Sequence, residues 1–214
     1  MSYAPSMTLS ERLKAETRDA HDAIEAAFDL DRSLDTRESY VALLRRLHGI
    51  HAAFERAAAP HLTGTDLFAA LARAPMLNAD LEALGARPDP AGALVPADAL
   101  PADRAEAVGS VYVLEGSTLG GLLIARTVER RLGFGPGTGA RFFAGHGRDT
   151  MRNWQAVRAA IDALAGPDDE RSVRAANRTF AAMGAVLAPD APPASGPAAA
   201  VPLIAVAAGA ASAA

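Results

Sequence analysis

The amino-acid sequence predicts an all-α fold. Apolar residues recur at three- and four-residue spacing along most of the chain, which is typical of helices that bury one face. No run shows the period-two alternation of β-branched residues that indicates strands. The length of 214 residues, of which 50% are hydrophobic, suits one domain with a sizeable core. We therefore expect a single helical domain over residues 8–188.

The ends of the first two helices are marked by capping residues and a proline. Thr8 and Glu11 match a capping box, so the first helix is expected to begin there and to run to about Phe28. A second helix is expected after Thr36, where large apolar residues follow helical spacing. It should stop before Pro60, because proline lacks a backbone N–H and clashes with the preceding turn.

The middle of the chain alternates helices with proline- and glycine-rich connections. Residues 66–84 are expected to form two short helices broken at Pro75. Residues 85–101 contain four prolines and two glycines, which indicates a loop. A long helix is expected over residues 101–132, and the six glycines of residues 133–147 indicate a second loop.

Two more helices complete the predicted domain, over about residues 149–164 and 168–187. Residues 189–214 form a low-complexity tail rich in alanine and proline, which carries one charged residue. We expect this tail to be disordered.

Composition excludes several classes of function. The chain has no cysteine, so disulfide frameworks, thiolate catalysis and iron–sulfur clusters are ruled out. The formal net charge of −4, without a long run of like charges, and the aromatic content of 5% argue against nucleic-acid binding. The N-terminus lacks the pattern of a secretory signal, and the apolar stretches before the tail are too short to span a membrane. We expect a cytoplasmic protein with no nucleic-acid or membrane partner.

A glycine-rich stretch stands out in the long predicted helix. Around Gly116 the chain reads Tyr-Val-Leu-Glu-Gly-Ser-Thr-Leu-Gly-Gly, and each glycine inside a helix costs about 1 kcal/mol relative to alanine. Tyr112, Gly116 and Gly120 share one strip of the helix, and Ser117 and Gly121 lie on the neighbouring strip. Either a flat ligand on bare backbone or close helix–helix packing through small residues would explain the pattern.

The first helix offers a candidate metal ligand. His21 lies at the border between the apolar face, which includes Leu13 and Ile24, and a strip of charged residues. Glu25 is one turn further on and can accept a hydrogen bond from the second imidazole nitrogen. A boundary histidine paired with a carboxylate is the simpler interpretation of the same pattern.

The other histidines are weaker candidates. His48 and His51 are three residues apart, and Glu55 follows one turn later, so a shared metal is geometrically possible. However, the chain contains no Glu-x-x-His sequence of the kind found in carboxylate-bridged di-iron bundles. We interpret His48 and His51 as packing or solvent-edge residues.

The first helix and the glycine-rich helix resemble those of the heme oxygenases, in particular the bacterial branch that supplies biliverdin to phytochromes. The first match is Leu13-Lys14-x-x-Thr17-x-x-x-His21-x-x-x-Glu25, and the second is the glycine-rich stretch from Tyr112 to Gly121. Together, about 90 residues apart in an all-helical chain, these motifs are fairly specific, and the resemblance covers roughly residues 8–188.

The resemblance implies a single heme-oxygenase-like domain with a kinked, glycine-rich distal helix. Heme b would lie between the two helices as both cofactor and substrate, with its iron bound by a neutral His21 that Glu25 orients. Gly116, Gly120 and Gly121 would let the distal backbone approach the porphyrin. The implied reaction uses molecular oxygen and external electrons to open heme to biliverdin, carbon monoxide and ferrous iron.

The resemblance also implies contacts at the edge of the heme. Lys14 occupies the position of a propionate-binding lysine, and Arg18, Tyr112 and Arg152 are further candidates by analogy. Phe28 and Phe180 would form pocket walls, although plain core packing explains them equally well.

One position departs from many heme oxygenases. These enzymes carry an aspartate directly after the first distal glycine, where this chain has Ser117. The branch that it resembles also has a small polar residue there, so Ser117 does not indicate a loss of activity. The proton path is left unassigned. Glu115 is next to the glycine in sequence, but it lies on another helical face and is a poor substitute.

The implied partners are heme, an electron donor such as a ferredoxin or a reductase, and a bacteriophytochrome that receives biliverdin. Two other functions fit the same residues. A heme carrier or sensor would use the same histidine and glycines without opening the ring, and a helical protein without heme would need the glycines for packing alone.

Overall fold

The computed structural model describes residues 7–89 and 95–187, and within them the protein is all-α, without a strand, as predicted. Ten α-helices and three short 3-10 turns make up the described chain. The helices are α1 Leu9–Glu16, α2 Arg18–Ala27, α3 Leu30–Ser33, α4 Arg37–Leu62, α5 Arg73–Ala83, α6 Arg104–Gly116, α7 Thr118–Leu132, α8 Arg141–Ala144, α9 Thr150–Ala163 and α10 Asp169–Leu187. The 3-10 turns are Asp66–Ala70, Ala97–Ala99 and Gly147–Asp149. The predicted low-complexity tail lies outside the described residues.

The first predicted helix is divided in two. Thr8 and Glu11 form the expected capping box, in which the Thr8 N–H donates to the Glu11 carboxylate at 2.9 Å and the Glu11 N–H donates to Thr8 Oγ1 at 3.3 Å. The break falls at Thr17, whose hydroxyl donates to the Leu13 carbonyl at 2.6 Å. A hydroxyl that bonds back to the preceding turn bends a helix. As a result α2, which carries His21, starts a new helix.

Two prolines act differently from the sequence prediction. Pro60 does not stop α4 but lies inside it, and the helix continues for only two residues beyond it, to Leu62. Pro75 does not separate two helices but is the third residue of α5. The first N–H groups of a helix have no partner within it, so a proline in the first turn is tolerated.

The long predicted helix has the expected kink. The helical pattern is interrupted at Ser117, between α6 and α7. The Ser117 hydroxyl donates to the Leu114 carbonyl and the Thr118 hydroxyl donates to the Glu115 carbonyl, both at 2.6 Å. These two back-bonds compete with the regular helical pattern at the point where the axis bends.

Helix α6 runs through the middle of the core. Every residue from Ala107 to Gly116 is buried, and α6 packs along α10, which also supports α2. Residues Arg104–Leu132 form a stretch long and apolar enough to cross a membrane, but 78% of its most apolar window is buried inside the protein. This is the behaviour of a central core helix.

The predicted loop after α7 contains the short helix α8 and is tied to α4 and α5. The Tyr40 hydroxyl donates to the Gly139 carbonyl at 2.7 Å. Asp80 accepts hydrogen bonds from the backbone N–H groups of Arg141 and Phe142, each at 2.7 Å. These contacts hold α8 over the start of α7, beside the kink.

Candidate functional site

His21 is buried on α2, with 11% of its side chain exposed. Its ring stands perpendicular to that of Phe180 on α10, with 5.9 Å between the ring centres. The Nε2 atom lies 3.5 Å from Glu25 Oε1, and the Nδ1 atom lies 3.4 Å from Asp22 Oδ1. The structure therefore brings together His21, Glu25 and Phe180, three of the predicted site residues.

The environment of Glu25 shows whether this site suits an imidazole that binds a metal. Its Oε1 atom is buried and accepts no hydrogen bond from another group of the described chain. A buried carboxylate oxygen without a donor is costly, and an imidazole N–H is the nearest group that can satisfy it. Ligand atoms of His21, Asp22 and Glu25 lie within 4.8 Å of one another, so the cluster can also attract a cation. A histidine with carboxylates to orient it and raise its basicity suits heme iron.

The glycines of the kinked helix divide into two kinds. A Cβ on Gly121 would lie 2.7 Å from the Phe143 carbonyl oxygen, which is closer than real contacts allow. A Cβ on Gly116 would lie 3.4 Å from the Trp154 ring, an ordinary contact. Close packing against α8 therefore accounts for Gly121, whereas packing does not require a glycine at position 116. Gly120 is buried in the first turn of α7.

Ser117 lies at the kink, beside a small apolar cavity. The cavity has a volume of about 20 Å³ and is lined by residues from α4, the kink, α8 and α10. These are Leu47, Ser117, Thr118, Gly121, Phe142, Phe143 and Met183. Because its hydrogen is used on the Leu114 carbonyl, the Ser117 oxygen is left to accept a hydrogen bond.

Tyr112 connects the distal helix to the break in the first helix. Its side chain is buried, its ring centre lies 5.5 Å from that of Trp154, and its hydroxyl hydrogen-bonds with Thr17. Burial raises the pKa of Tyr112 to about 12, although the charge of Arg158 and the Thr17 hydroxyl oppose the rise. The hydroxyl is therefore a neutral hydrogen-bond donor at physiological pH.

Arg158 is a residue that sequence reasoning missed. It is half-buried on α9, acts on Tyr112 through its charge and donates from Nε to Ser10 Oγ at 3.3 Å. The predicted arginine of α9, Arg152, has 80% of its side chain exposed and pairs with Asp149 at 3.0 Å. The sequence spacing could have predicted the burial of Arg158, because this residue follows Trp154 by one turn and lies on the same face of the helix.

The remaining predicted cations lie on the outside of the first two helices. Lys14 is exposed in the last turn of α1, one turn after Ser10, the first-turn residue that Arg158 contacts. Arg18 has 80% of its side chain exposed and lies 3.8 Å from Asp22. Phe28 is a core residue at the end of α2.

Comparison with known proteins identifies relatives for nearly the whole described chain. A protein-family model described as heme oxygenase matches residues 7–188. The heme oxygenase of Neisseria meningitidis, solved with NO and CO bound, superimposes with a TM-score of 0.70 at 25% identity, covering 85% of this chain and 91% of that one. The heme oxygenase of Leptospira interrogans superimposes with a TM-score of 0.71 at 19% identity, covering 86% of this chain and 100% of that one.

The fold alone is shared more widely. A TenA homologue from P. horikoshii superimposes with a TM-score of 0.56 at 12% identity, covering 85% of this chain and 97% of that one. No curated protein sequence matches this chain. A shared fold therefore does not by itself identify the function of this chain.

Proposed function

This chain belongs to the heme oxygenase family, and from that premise we propose that it binds heme b and cleaves it with molecular oxygen and external electrons. The products would be biliverdin, carbon monoxide and ferrous iron. The family match supports heme degradation, and the roles of the individual site residues are our assignment.

The observation that carries the proposal is the buried pair of His21 and Glu25. His21 packs against the Phe180 ring, and its Nε2 atom lies 3.5 Å from Glu25 Oε1, a buried oxygen without a hydrogen-bond partner in the described chain. His21 would bind the iron as a neutral imidazole through the nitrogen that faces the exposed Asp22, and Glu25 would accept the proton of the nitrogen that faces Glu25. The bound heme would supply the oxygen-activating iron.

Three residues at the junction of α1, α6 and α9 would bind the propionates. Lys14 and Arg158 would provide positive charge, and the neutral Tyr112 hydroxyl would donate to a propionate in place of its contact with Thr17. We place Arg158 in this role because it lies beside Tyr112, whereas Arg152 and Arg18 lie at the exposed surface and would contribute through longer-range charge.

The kinked segment would cover the opposite face of the heme. Gly116 and Gly120 would let the backbone of this segment approach the ring without a side chain between them, and Ser117 offers an oxygen that can accept a hydrogen bond from water. Phe142 and Phe143 of α8 shield this side from bulk solvent. A ferredoxin or a reductase would donate electrons, a bacteriophytochrome would receive the biliverdin, and the reaction would take place in the cytoplasm.

A hemin titration of the full chain tests the proposal. We expect a Soret band with stoichiometric saturation for the wild type, and a changed ligation spectrum for His21→Ala. His61→Ala is a suitable control, because His61 lies at the far end of α4. An unchanged spectrum in His21→Ala would overturn the ligand assignment.

Turnover then separates an enzyme from a carrier. With ascorbate or a ferredoxin system under air, we expect the Soret band to disappear and a biliverdin spectrum to replace it. A Soret band that persists under these conditions would indicate a heme carrier or sensor. Absence of any Soret band would indicate a helical protein that does not bind heme.

A further inference from the structure

Arg73 and Glu115 form the least exposed ion pair of the described chain. The guanidinium donates from Nε and Nη2 to the two carboxylate oxygens, both at 2.8 Å, and each side chain is 3% exposed. Such a two-point contact fixes the rotation of both groups as well as their separation. It joins the first residue of α5 to the penultimate residue of α6.

Two further polar groups contact this pair. His146 Nε2 lies 3.1 Å from Arg73 Nη2, and the Asn153 amide donates to Glu115 Oε2 at 3.4 Å. Burial and the charge of Arg73 lower the pKa of His146, so its ring is neutral and can accept the guanidinium N–H. The carboxylate is thereby held from α5 and α9 at once.

The backbone of Arg73 is fixed as well. Glu55 Oε1, on α4, accepts the backbone N–H groups of Arg73 and Ala74 at 2.8 and 2.9 Å. These are the first N–H groups of α5, which lack partners within their own helix, so Glu55 caps α5 from a neighbouring helix. The arginine that holds Glu115 is therefore itself anchored to α4.

The pair lies immediately before the kink of the distal helix. Glu115 is two residues from Ser117, and its carbonyl oxygen accepts the Thr118 hydroxyl at 2.6 Å. The same residue thus has its side chain held by Arg73 and its backbone held in the kink. A rotation of Glu115 would be passed to the segment from Gly116 to Gly121.

We propose that Arg73 and Glu115 are positioning residues that set the orientation of the Ser117–Gly121 backbone over the heme, and through it which meso carbon is cleaved. The inference rests on the proposed function. Buried ion pairs stabilise folds little better than well-packed apolar pairs of similar size, so stability alone is a weak reason for this one. The pair is held at both ends and lies directly before the kink, so positioning of the kinked segment explains its presence.

The test compares variants that keep the core filled. The double variant Arg73→Met with Glu115→Leu removes both charges without leaving one unpaired. Arg73→Lys keeps the charge but loses the two-point contact. The control is Arg178→Met, which removes an ion pair to Glu106 near the opposite end of α6.

Two readouts report the orientation of the distal backbone independently of stability. The first is the ratio of biliverdin isomers after turnover, and the second is the infrared C–O stretching band of the carbon monoxide complex of the reduced protein. For the double variant we expect a broadened band, a changed isomer ratio and a fall in turnover of about tenfold or more, since small misplacements of reacting groups have large effects. Arg73→Lys should lie between wild type and the double variant, and Arg178→Met should match the wild type.

The outcomes distinguish this inference from the proposed function. If the wild type fails to degrade heme, the proposed function is wrong. If the wild type is active and a folded double variant keeps its isomer ratio and its narrow band, the positioning role is wrong. If the double variant does not fold, Arg73→Lys provides the test of the positioning role. An isomer ratio and a C–O band equal to those of the wild type in that variant would overturn the inference.

Discussion

Gly109 on α6 lies directly against the backbone of Ser172 on α10. A Cβ placed on Gly109 would lie 2.0 Å from the Ser172 carbonyl oxygen and 2.8 Å from its carbonyl carbon. The Ser172 hydroxyl in turn donates to the Ala105 carbonyl at 2.7 Å, one turn earlier on α6. The two backbones thus meet without an intervening side chain, which sets the distance between the core helices.

We expect Gly109→Ala to destabilise the protein by about 1–3 kcal/mol, because the methyl group must push two backbones apart. Replacing a helical glycine by alanine is otherwise worth about 1 kcal/mol of stability. Gly184→Ala on α10 is the matched control, since its Cβ would lie 3.8 Å from the nearest atom, Ile24 Cγ1. Urea unfolding of both variants should give changes of opposite sign, and equal stabilisation by both would contradict the close approach.

The sequence predicted the helices well, because helical spacing and caps are local signals. The glycines of the long helix indicated either a bound ligand or close helix–helix packing, but the sequence did not show which of the two applied to each glycine. Gly109 and Gly121 depend on backbone from α10 and α8, which no local pattern specifies. The buried ion pair of Arg73 and Glu115 was missed for the same reason, since these two residues are 42 positions apart in the chain. Arg152 and Arg158 look alike in sequence, and their difference in burial follows from how α9 packs.

Arg158→Met is expected to weaken hemin binding more than Arg152→Met. Arg158 lies beside Tyr112 at the proposed propionate site, whereas Arg152 is exposed and already paired with Asp149. Loss of one charge-assisted hydrogen bond to a carboxylate corresponds to about 1.5–3 kcal/mol, or roughly ten- to hundredfold in affinity. Competition with apomyoglobin for hemin measures the difference, and equal effects of the two substitutions would contradict the assignment of Arg158.

Asp80→Ala is expected to loosen α8. The Asp80 carboxylate caps this short helix by accepting the N–H groups of Arg141 and Phe142, and both donors would lose their partner. Leaving buried donors unpaired costs about 1–3 kcal/mol, which urea unfolding can detect. Asp98→Ala changes an exposed aspartate in a 3-10 turn and should alter the free energy of unfolding by less than about 0.5 kcal/mol. A similar effect of both substitutions would show that the cap contributes little.

The charge of Glu55 should give the protein a stability that depends on acid pH. Burial alone would raise the pKa of this carboxyl, but the neighbouring His51 and the N–H groups of Ala74 and Arg73 outweigh it and lower the pKa below the usual 4.5. A carboxyl with a lowered pKa in the folded state binds fewer protons there than in the unfolded chain, so its contribution is complete above the unfolded pKa. The contribution is lost as the pH falls through the folded pKa.

Glu55→Gln isolates this effect, because glutamine keeps an oxygen that can accept both N–H groups but carries no charge. We expect the wild type to be more stable than Glu55→Gln near neutral pH, and the difference in the free energy of unfolding to shrink as the pH is lowered toward about 3. Urea unfolding of both proteins across this range measures the difference. A difference that does not change with pH would show that the charge of Glu55 contributes no pH-dependent stability, and a difference that grows with acid would mean that the pKa is raised.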